Sequence, residues 1–160
     1  MPVPDFVTAL RAHVGTAPLW LSGVTAVVLD GDRVLLGRRT DNGMWAAISG
    51  ILDPGEQPAR AAVREVLEET GVVARVLALA SVDSGDVVTY PNGDRAQYLS
   101  LAFLCEYVSG EAHVADDESL AVGWFPLDAL PRPLAPTSAT RIADALAVRA
   151  DPAAGPRFVR

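Results

Sequence analysis

The stretch that decides the fold is Gly50-Ile51-Leu52-Asp53-Pro54-Gly55-Glu56, followed seven residues later by Arg64-Glu65-Val66-Leu67-Glu68-Glu69-Thr70-Gly71-Val72. Asp53-Pro54-Gly55 is a turn signal, so the stretch opens as a loop with a stiff lead-in at Glu56. The segment from about Gln57 to Thr70 reads as a helix. Gly71 ends it, where a left-handed residue is usual. At about 100° per residue, Ala59, Ala62, Val63, Val66 and Thr70 form one stripe, expected to face the core. Glu65, Glu68 and Glu69 form a second stripe roughly 130° away. Like charges at these spacings repel by a few tenths of a kcal/mol per pair, and the C-terminal end of a helix disfavours anions. Arg64 offsets part of this by reaching Glu68 at i+4. A hard cation such as Mg²⁺, which takes oxygen ligands, removes the rest of the conflict. For three glutamates taken alone, a solvated acidic face is the plain alternative. The flanks shift the balance: Gly50 allows a close backbone approach to a ligand, and Gly71 follows the carboxylates directly.

The segment 50–72 resembles the box of the Nudix (MutT-like) hydrolase family, G-x5-E-x7-R-E-U-x-E-E-x-G-U with U aliphatic, at every specified position. Trp45 just upstream, the hairpin before it, and Trp124-Phe125-Pro126-Leu127 with Leu130-Pro131 also look like family features. The resemblance implies an α/β fold, the Nudix-type α/β/α sandwich with a mixed β-sheet and a loop–helix–loop catalytic box. It implies metal-dependent pyrophosphohydrolase activity on a nucleoside diphosphate linked to another moiety. By carry-over, Glu65, Glu68, Glu69 and the Gly50 carbonyl are the expected metal ligands, with Mg²⁺ the expected ion and Mn²⁺ an alternative. Glu56 and Gly71 are structural in the box, and Arg64 positions a glutamate by ion pairing. Glu65 is the first candidate for general base. Glu118, in Asp116-Asp117-Glu118, is the second; its plain reading is an acidic turn. Many relatives carry Pro-Gly-Gly where this chain has Ile48-Ser49-Gly50, so the turn into the box is expected to differ slightly.

Outward from the box, Val24 to Leu29 is β-branched and apolar, Asp30-Gly31-Asp32 is a turn, and Arg33 to Arg39 reads as the returning strand of a hairpin. Strands are expected at about 75–81, 97–107 and 120–124, with a turn at 90–94. A short run at 45–49 precedes the box. A short helical turn is expected at 126–131. The last helix is expected over about 137–150, capped by Thr137 or Ser138, with Ile142, Ala145 and Leu146 inward. A first helix over about 4–13 would carry Phe6, Val7 and Leu10. Strands mixed with a few helices predict a sheet covered on both faces. The expected organisation is one domain over 1–150, with its core at about 20–131, and a loose tail over 151–160.

The chain has 160 residues, half of them hydrophobic, enough for one well-buried core. Its net charge of −7 disfavours long nucleic acids, which need a broad basic face. It is compatible with a small nucleotide-like ligand bridged to acidic side chains by a metal. No apolar run reaches membrane-spanning length, and Met1 to Leu10 lacks the pattern of a secretory signal. The single Cys105 lies in an apolar run and reads as a buried, inert thiol. A cytoplasmic location follows from these readings, and a homodimer is compatible with them.

Substrate choice lies outside the box. Arg38, Trp45 and Tyr90 are the candidate substrate-binding residues, with Arg39 and Tyr98 beside them; packing or surface roles are the plain reading of each. ADP-ribose, a nucleotide sugar, a dinucleoside polyphosphate and an oxidised or ordinary nucleoside triphosphate all remain open. A catalytically silent nucleotide-binding or regulatory module on the same fold is the alternative function. An isoprenoid diphosphate isomerase is a distant third, because Cys105 is poorly placed for that chemistry.

Overall fold

The structure is a computed structural model and describes residues 3–158. Strand β1 (Leu19–Asp30) turns at Gly31, whose φ of 57° suits a residue without Cβ, and returns as β2 (Arg33–Arg39). Then come β3 (Trp45–Ala46), β4 (Ile48–Ile51), helix α2 (Pro58–Thr70), β5 (Val73–Ser84), β6 (Val88–Thr89), β7 (Arg95–Ser109) and β8 (Ser119–Pro126). Helix α1 (Asp5–Val14) precedes the sheet and α3 (Pro136–Ala150) follows it.

The sheet is mixed. β1 runs parallel to β7 from Leu19 to Leu29, while β2 and β4 pair antiparallel with β1, and β5 antiparallel with β7. Its alternation sends Val24, Ala26 and Val28 to one side, where they pack with Ala61, Ala62 and Val66 of α2. Val27 and Leu29 go to the other side and meet Ile142, Ala145 and Val148 of α3. Helices therefore cover both faces, which is the layered α/β architecture expected. A third, smaller cluster joins Val7 of α1 to Leu21 and Ala96, so the first helix docks on the sheet. Cys105 is fully buried, and burial pushes its thiol up to about 12.

Several expectations need correction. In α2 the buried set is Ala61, Ala62, Glu65, Val66, Glu69 and Thr70. Ala59 is exposed and Val63 half-buried. The helix is thus rotated toward its acidic stripe, and two glutamates share the buried arc. At α3 the N-cap is Ala135, and neither Thr137 nor Ser138 caps the helix through its side chain. Ser138 instead accepts a 3.1 Å hydrogen bond from the Ala47 N–H, which fastens α3 to the strand segment before the box. Pro126 closes β8, and the short turn expected over 126–131 is a single turn at 127–128 in which the Ala129 N–H donates to the Pro126 carbonyl.

Of the tail expected over 151–160, residues 151–158 carry local structure, and 159–160 lie outside the described residues. A 3-10 turn at Pro152–Ala154 leads to β9 (Arg157–Phe158), which pairs parallel with Ser81 and Val82 of β5. Arg157 Nε donates to Asp144 Oδ1 at 2.6 Å, so the segment is held by backbone pairing and charge together. Among the described residues, no helix is long and apolar enough to cross a membrane.

Candidate active site

Helix α2 begins with Pro58 at its first turn and ends at Gly71, whose φ of 69° is left-handed; the Gly71 N–H donates to the Leu67 carbonyl. Thr70 seals the end, since its hydroxyl donates to the Val66 carbonyl and accepts from the Val72 N–H at 3.2 Å. The acidic stripe is therefore delivered on a firmly closed helix.

Arg64 organises the carboxylates. Its Nε and Nη2 donate to the two oxygens of Glu56 at 2.8 and 2.9 Å, a bidentate pair that ties the loop to the helix. Nη1 donates to Glu65 Oε1 at 2.9 Å and to Glu68 Oε2 at 3.0 Å. Glu56 also accepts from the Asp53 N–H, and the Arg64 guanidinium holds its carboxyl below the usual range. The anticipated i, i+4 contact of Arg64 with Glu68 is present, within a larger four-residue network.

Gly50 lies opposite Val24 in the sheet, directly under Glu65. A Cβ on Gly50 would stand 2.0 Å from Glu65 Cδ. Only a bare backbone lets Glu65 lie there, 7% exposed, with its acidity weakened by burial and partly restored by Arg64. Glu69 is equally buried. Burial, then the charges of Glu118, Glu65 and Asp116, push its carboxyl up to about 8.

Glu118 arrives from a different part of the chain. The His113 N–H donates to the Thr70 carbonyl and the Ala115 N–H to the Glu69 carbonyl, so residues 110–118 are laid across the end of α2. Asp116 Oδ1 accepts from the Glu118 N–H at 3.0 Å, and the Thr40 N–H donates to the Glu118 carbonyl. The loop fits because Gly71 has no side chain: a Cβ there would meet the His113 ring at 2.2 Å. Gly71→Ala is therefore expected to lower stability by roughly 1–2 kcal/mol through the positive φ and to displace the loop carrying Glu118. A urea midpoint equal to that of the parent protein would remove this account.

Two cavities flank the carboxylates. The smaller, about 410 Å³, is lined by Arg64, Glu65, Glu68 and Glu118 together with Asp5 and Phe6 of α1. The larger, about 830 Å³, is lined by Gly50, Glu69 and Glu118 and continues over β1, β5, β7 and α3. Glu118 borders both.

Of the candidate substrate residues, Tyr90 lines the larger cleft, as do Arg39 and Tyr98. The Tyr90 and Tyr98 hydroxyls are hydrogen-bonded at 2.7 Å. Arg38 and Trp45 do not line it. They are cross-strand partners, so their side chains share a face, and alternation along β2 turns Arg39 rather than Arg38 toward the cleft. Arg38 Nε donates to the Gly43 carbonyl. Trp45 packs edge-on against Phe125 with ring centroids 4.6 Å apart, in the cluster under α3. Sequence reasoning passed over Asp83 and Arg141, which also line the cleft. A signal was present for Arg141: it lies one turn before the inward Ala145, so it falls on the buried side of an amphipathic helix.

The donors suit a hard divalent cation in kind, being all oxygen, and the crowding of carboxylates that helps push Glu69 up to about 8 is what a cation would relieve. Among the described residues, no three acidic, His or Cys side chains stand ready arranged around one point. Arg64 takes one oxygen of Glu65 and one of Glu68.

The NUDIX domain family model matches residues 20–145. A MutT-like protein of Streptomyces ambofaciens is 37% identical over 130 residues, covering 81% of this chain and 79% of that protein. The NAD-capped RNA hydrolase NudC of Pseudomonas aeruginosa is 37% identical over 107 residues, 66% of this chain. The match takes in 36% of NudC, so the chain spans about a third of that relative's length. Among solved structures, a MutT NUDIX hydrolase from Burkholderia pseudomallei superposes with a TM-score of 0.67 at 29% identity, covering 79% of this chain and 98% of that one.

Proposed function

The chain belongs to the Nudix hydrolase family, and from that premise we propose that it hydrolyses a diphosphate bond in a small nucleotide-linked substrate with the help of Mg²⁺. The observation that carries this reading is the meeting of Glu65, Glu68 and Glu69 on α2 with Glu118 from a separate loop, at the border of a cleft large enough for a nucleotide.

In this reading Glu65, Glu68, Glu69 and the Gly50 carbonyl hold the metal, with Mn²⁺ able to replace Mg²⁺. Bound metal would neutralise diphosphate charge and make a water molecule more acidic. The chain's own part is positioning. Arg64 keeps Glu56, Glu65 and Glu68 in one network, so the loop and helix move as a unit. Gly50 leaves room for Glu65. The loop 110–118 brings a carboxylate to the same place from the opposite side. In-line displacement at phosphorus depends on such placement more than on covalent chemistry.

Glu65 and Glu118 compete for the role of general base. Position favours Glu118, which borders both cavities, while Glu65 lines the smaller one alone. Glu118→Gln is expected to remove the acidic limb of the kcat/KM–pH profile and lower its plateau by about 10²–10⁴-fold. Glu65→Gln should lower activity while keeping that limb. The reverse pattern would assign the base to Glu65.

The test of the function itself is a phosphate-release panel with Mg²⁺ or Mn²⁺, coupled to a phosphatase. It would span nucleoside triphosphates, oxidised nucleotides, ADP-ribose, nucleotide sugars and dinucleoside polyphosphates. Chelator-sensitive turnover of one class is expected. Silence across the panel, with metal binding intact, would sink the hydrolase reading in favour of a nucleotide-binding module.

A further inference from the structure

The larger cleft contains charged groups that the hydrolytic chemistry does not use. Arg141 of α3 is largely buried, with 16% of its side chain exposed. Its Nη1 donates to Thr25 Oγ1 at 2.8 Å, and its Nη2 stands 4.0 Å from Asp83 Oδ1. Asp83, on β5, is 26% exposed and has Arg157 Nη2 3.9 Å from its other oxygen. Both separations exceed hydrogen-bonding distance. Among the described residues, neither Asp83 oxygen accepts a hydrogen bond, and Arg141 makes only the one to Thr25. A half-buried carboxylate and a buried guanidinium thus stand side by side on a cleft wall with hydrogen-bonding capacity to spare. Burial weakens the hold of Arg141 on its own proton, consistent with a site that is dry enough for such contacts to matter.

The surroundings set what fits. Thr25 pairs with Ser49 in the ladder, and Ser49 adjoins Gly50, so Arg141 is fastened one strand step from the carboxylate site. Gly23, Ser100 and Tyr98 line the same cleft. Gly23 and Ser100 are neighbours across the β1–β7 ladder, which gives a low floor. A flat ring can lie on such a floor with its edge toward the charged pair.

We propose that Asp83 and Arg141 select the base of the substrate, Asp83 accepting from a ring or amino N–H and Arg141 donating to the adjacent carbonyl or ring nitrogen. This rests on the nucleotide-substrate reading above. Nucleobase edges present donors beside acceptors, and a carboxylate next to a guanidinium is the complementary arrangement. Arg157 stands beside Asp83 without hydrogen-bonding to it, and Asp144 holds Arg157 in turn. The selection acts on binding of the nucleoside end and leaves the diphosphate to the glutamates.

The test is calorimetric titration of the full chain, without metal, with AMP, GMP, CMP, UMP and base-free ribose 5-phosphate. No turnover is needed, so the hydrolase reading and this one fail separately. The parent protein should prefer one base over the others by tenfold or more. Asp83→Asn turns one acceptor into a donor, so it should reorder the bases rather than weaken all of them. Arg141→Gln should remove most of the preference and leave ribose 5-phosphate binding within about twofold. Arg141→Lys, which keeps the charge but not the fork, should give an intermediate preference. The proposal is overturned if the parent protein shows no preference among bases. It is also overturned if the variants weaken every ligand equally, base-free sugar phosphate included, since that marks an anion anchor. A preference surviving both Asp83→Asn and Arg141→Gln overturns it as well. Unchanged thermal melts for Asp83→Asn and Arg141→Lys would confirm that fold loss does not mimic the result.

Discussion

Glu69→Gln is expected to abolish most turnover while making the metal-free protein more stable. Glu69 is 7% exposed, and burial together with Glu118, Glu65 and Asp116 raises its carboxyl to about 8. In the unfolded chain the same group titrates near about 4.3. Folding therefore takes up a proton between these values. The stability this gives is full below the unfolded pKa and is lost as pH rises through about 8. Above that range the folded protein holds a buried charge beside other carboxylates, at a cost on the order of a few kcal/mol. Glutamine keeps the shape and removes the charge. Thermal melts in chelator should show the parent protein losing stability from pH 5 to about 9, and the variant losing much less. Added Mg²⁺ should raise the parent's melting temperature at high pH and scarcely move the variant's. Turnover in the variant should fall by roughly two to three orders of magnitude, the scale seen when a group stabilising developing charge is removed. Glu68→Gln should cost activity without the stability gain, because Glu68 is exposed. Full Mg²⁺-dependent activity in both variants would sink the ligand assignment.

Gly50→Ala is the second large effect, and its loss should fall on the site rather than the fold. The added methyl would stand 2.0 Å from Glu65 Cδ and Oε1. The backbone of Gly50 is held in the ladder opposite Val24, so the strand cannot yield easily. The end of the Glu65 side chain yields instead, and in moving it breaks its bond to Arg64 Nη1. Expelling a buried carboxylate from its place frees Arg64 to pair with Glu56 and Glu68 alone. A fall in kcat of about 10²-fold or more is expected, with a urea midpoint close to the parent's. A variant that kept both activity and the pH–rate profile would show that Glu65 need not lie over residue 50.

How much of this could be read in the chain follows from the range of the interactions. The box helix, its stop at Gly71 and the Arg64–Glu68 contact depend on residues within a few positions of one another, and all appear where the spacing put them. The rotation of α2 was hidden because a helical wheel weighs polarity alone. Glu65 and Glu69 are buried by the bare backbone of Gly50 and by the loop 110–118, neither of which is part of the helix. Arg38 and Arg39 are adjacent in sequence, and only the register of β2 against β3 and β8 decides which of them faces the cleft. The pairing of Asp83 with Arg141 joins a strand and a helix 58 positions apart, and no local pattern announces it.

The outer long strand of the sheet carries a further consequence, for self-association. Among the described residues, β5 has β7 on one side and only the two residues of β9 on the other. An uncovered strand edge invites another chain to add to it. This edge is spoiled in two ways. The β5 register shifts between Val73 and Ala74, between Val76 and Ala78, and between Leu79 and Ser81, and such bulges twist a strand out of the flat form that a second strand needs. Where the bulges end, at Ser81 and Val82, the chain's own C-terminal segment takes the place of a foreign strand. Aggregation by sheet extension is thus opposed along β5.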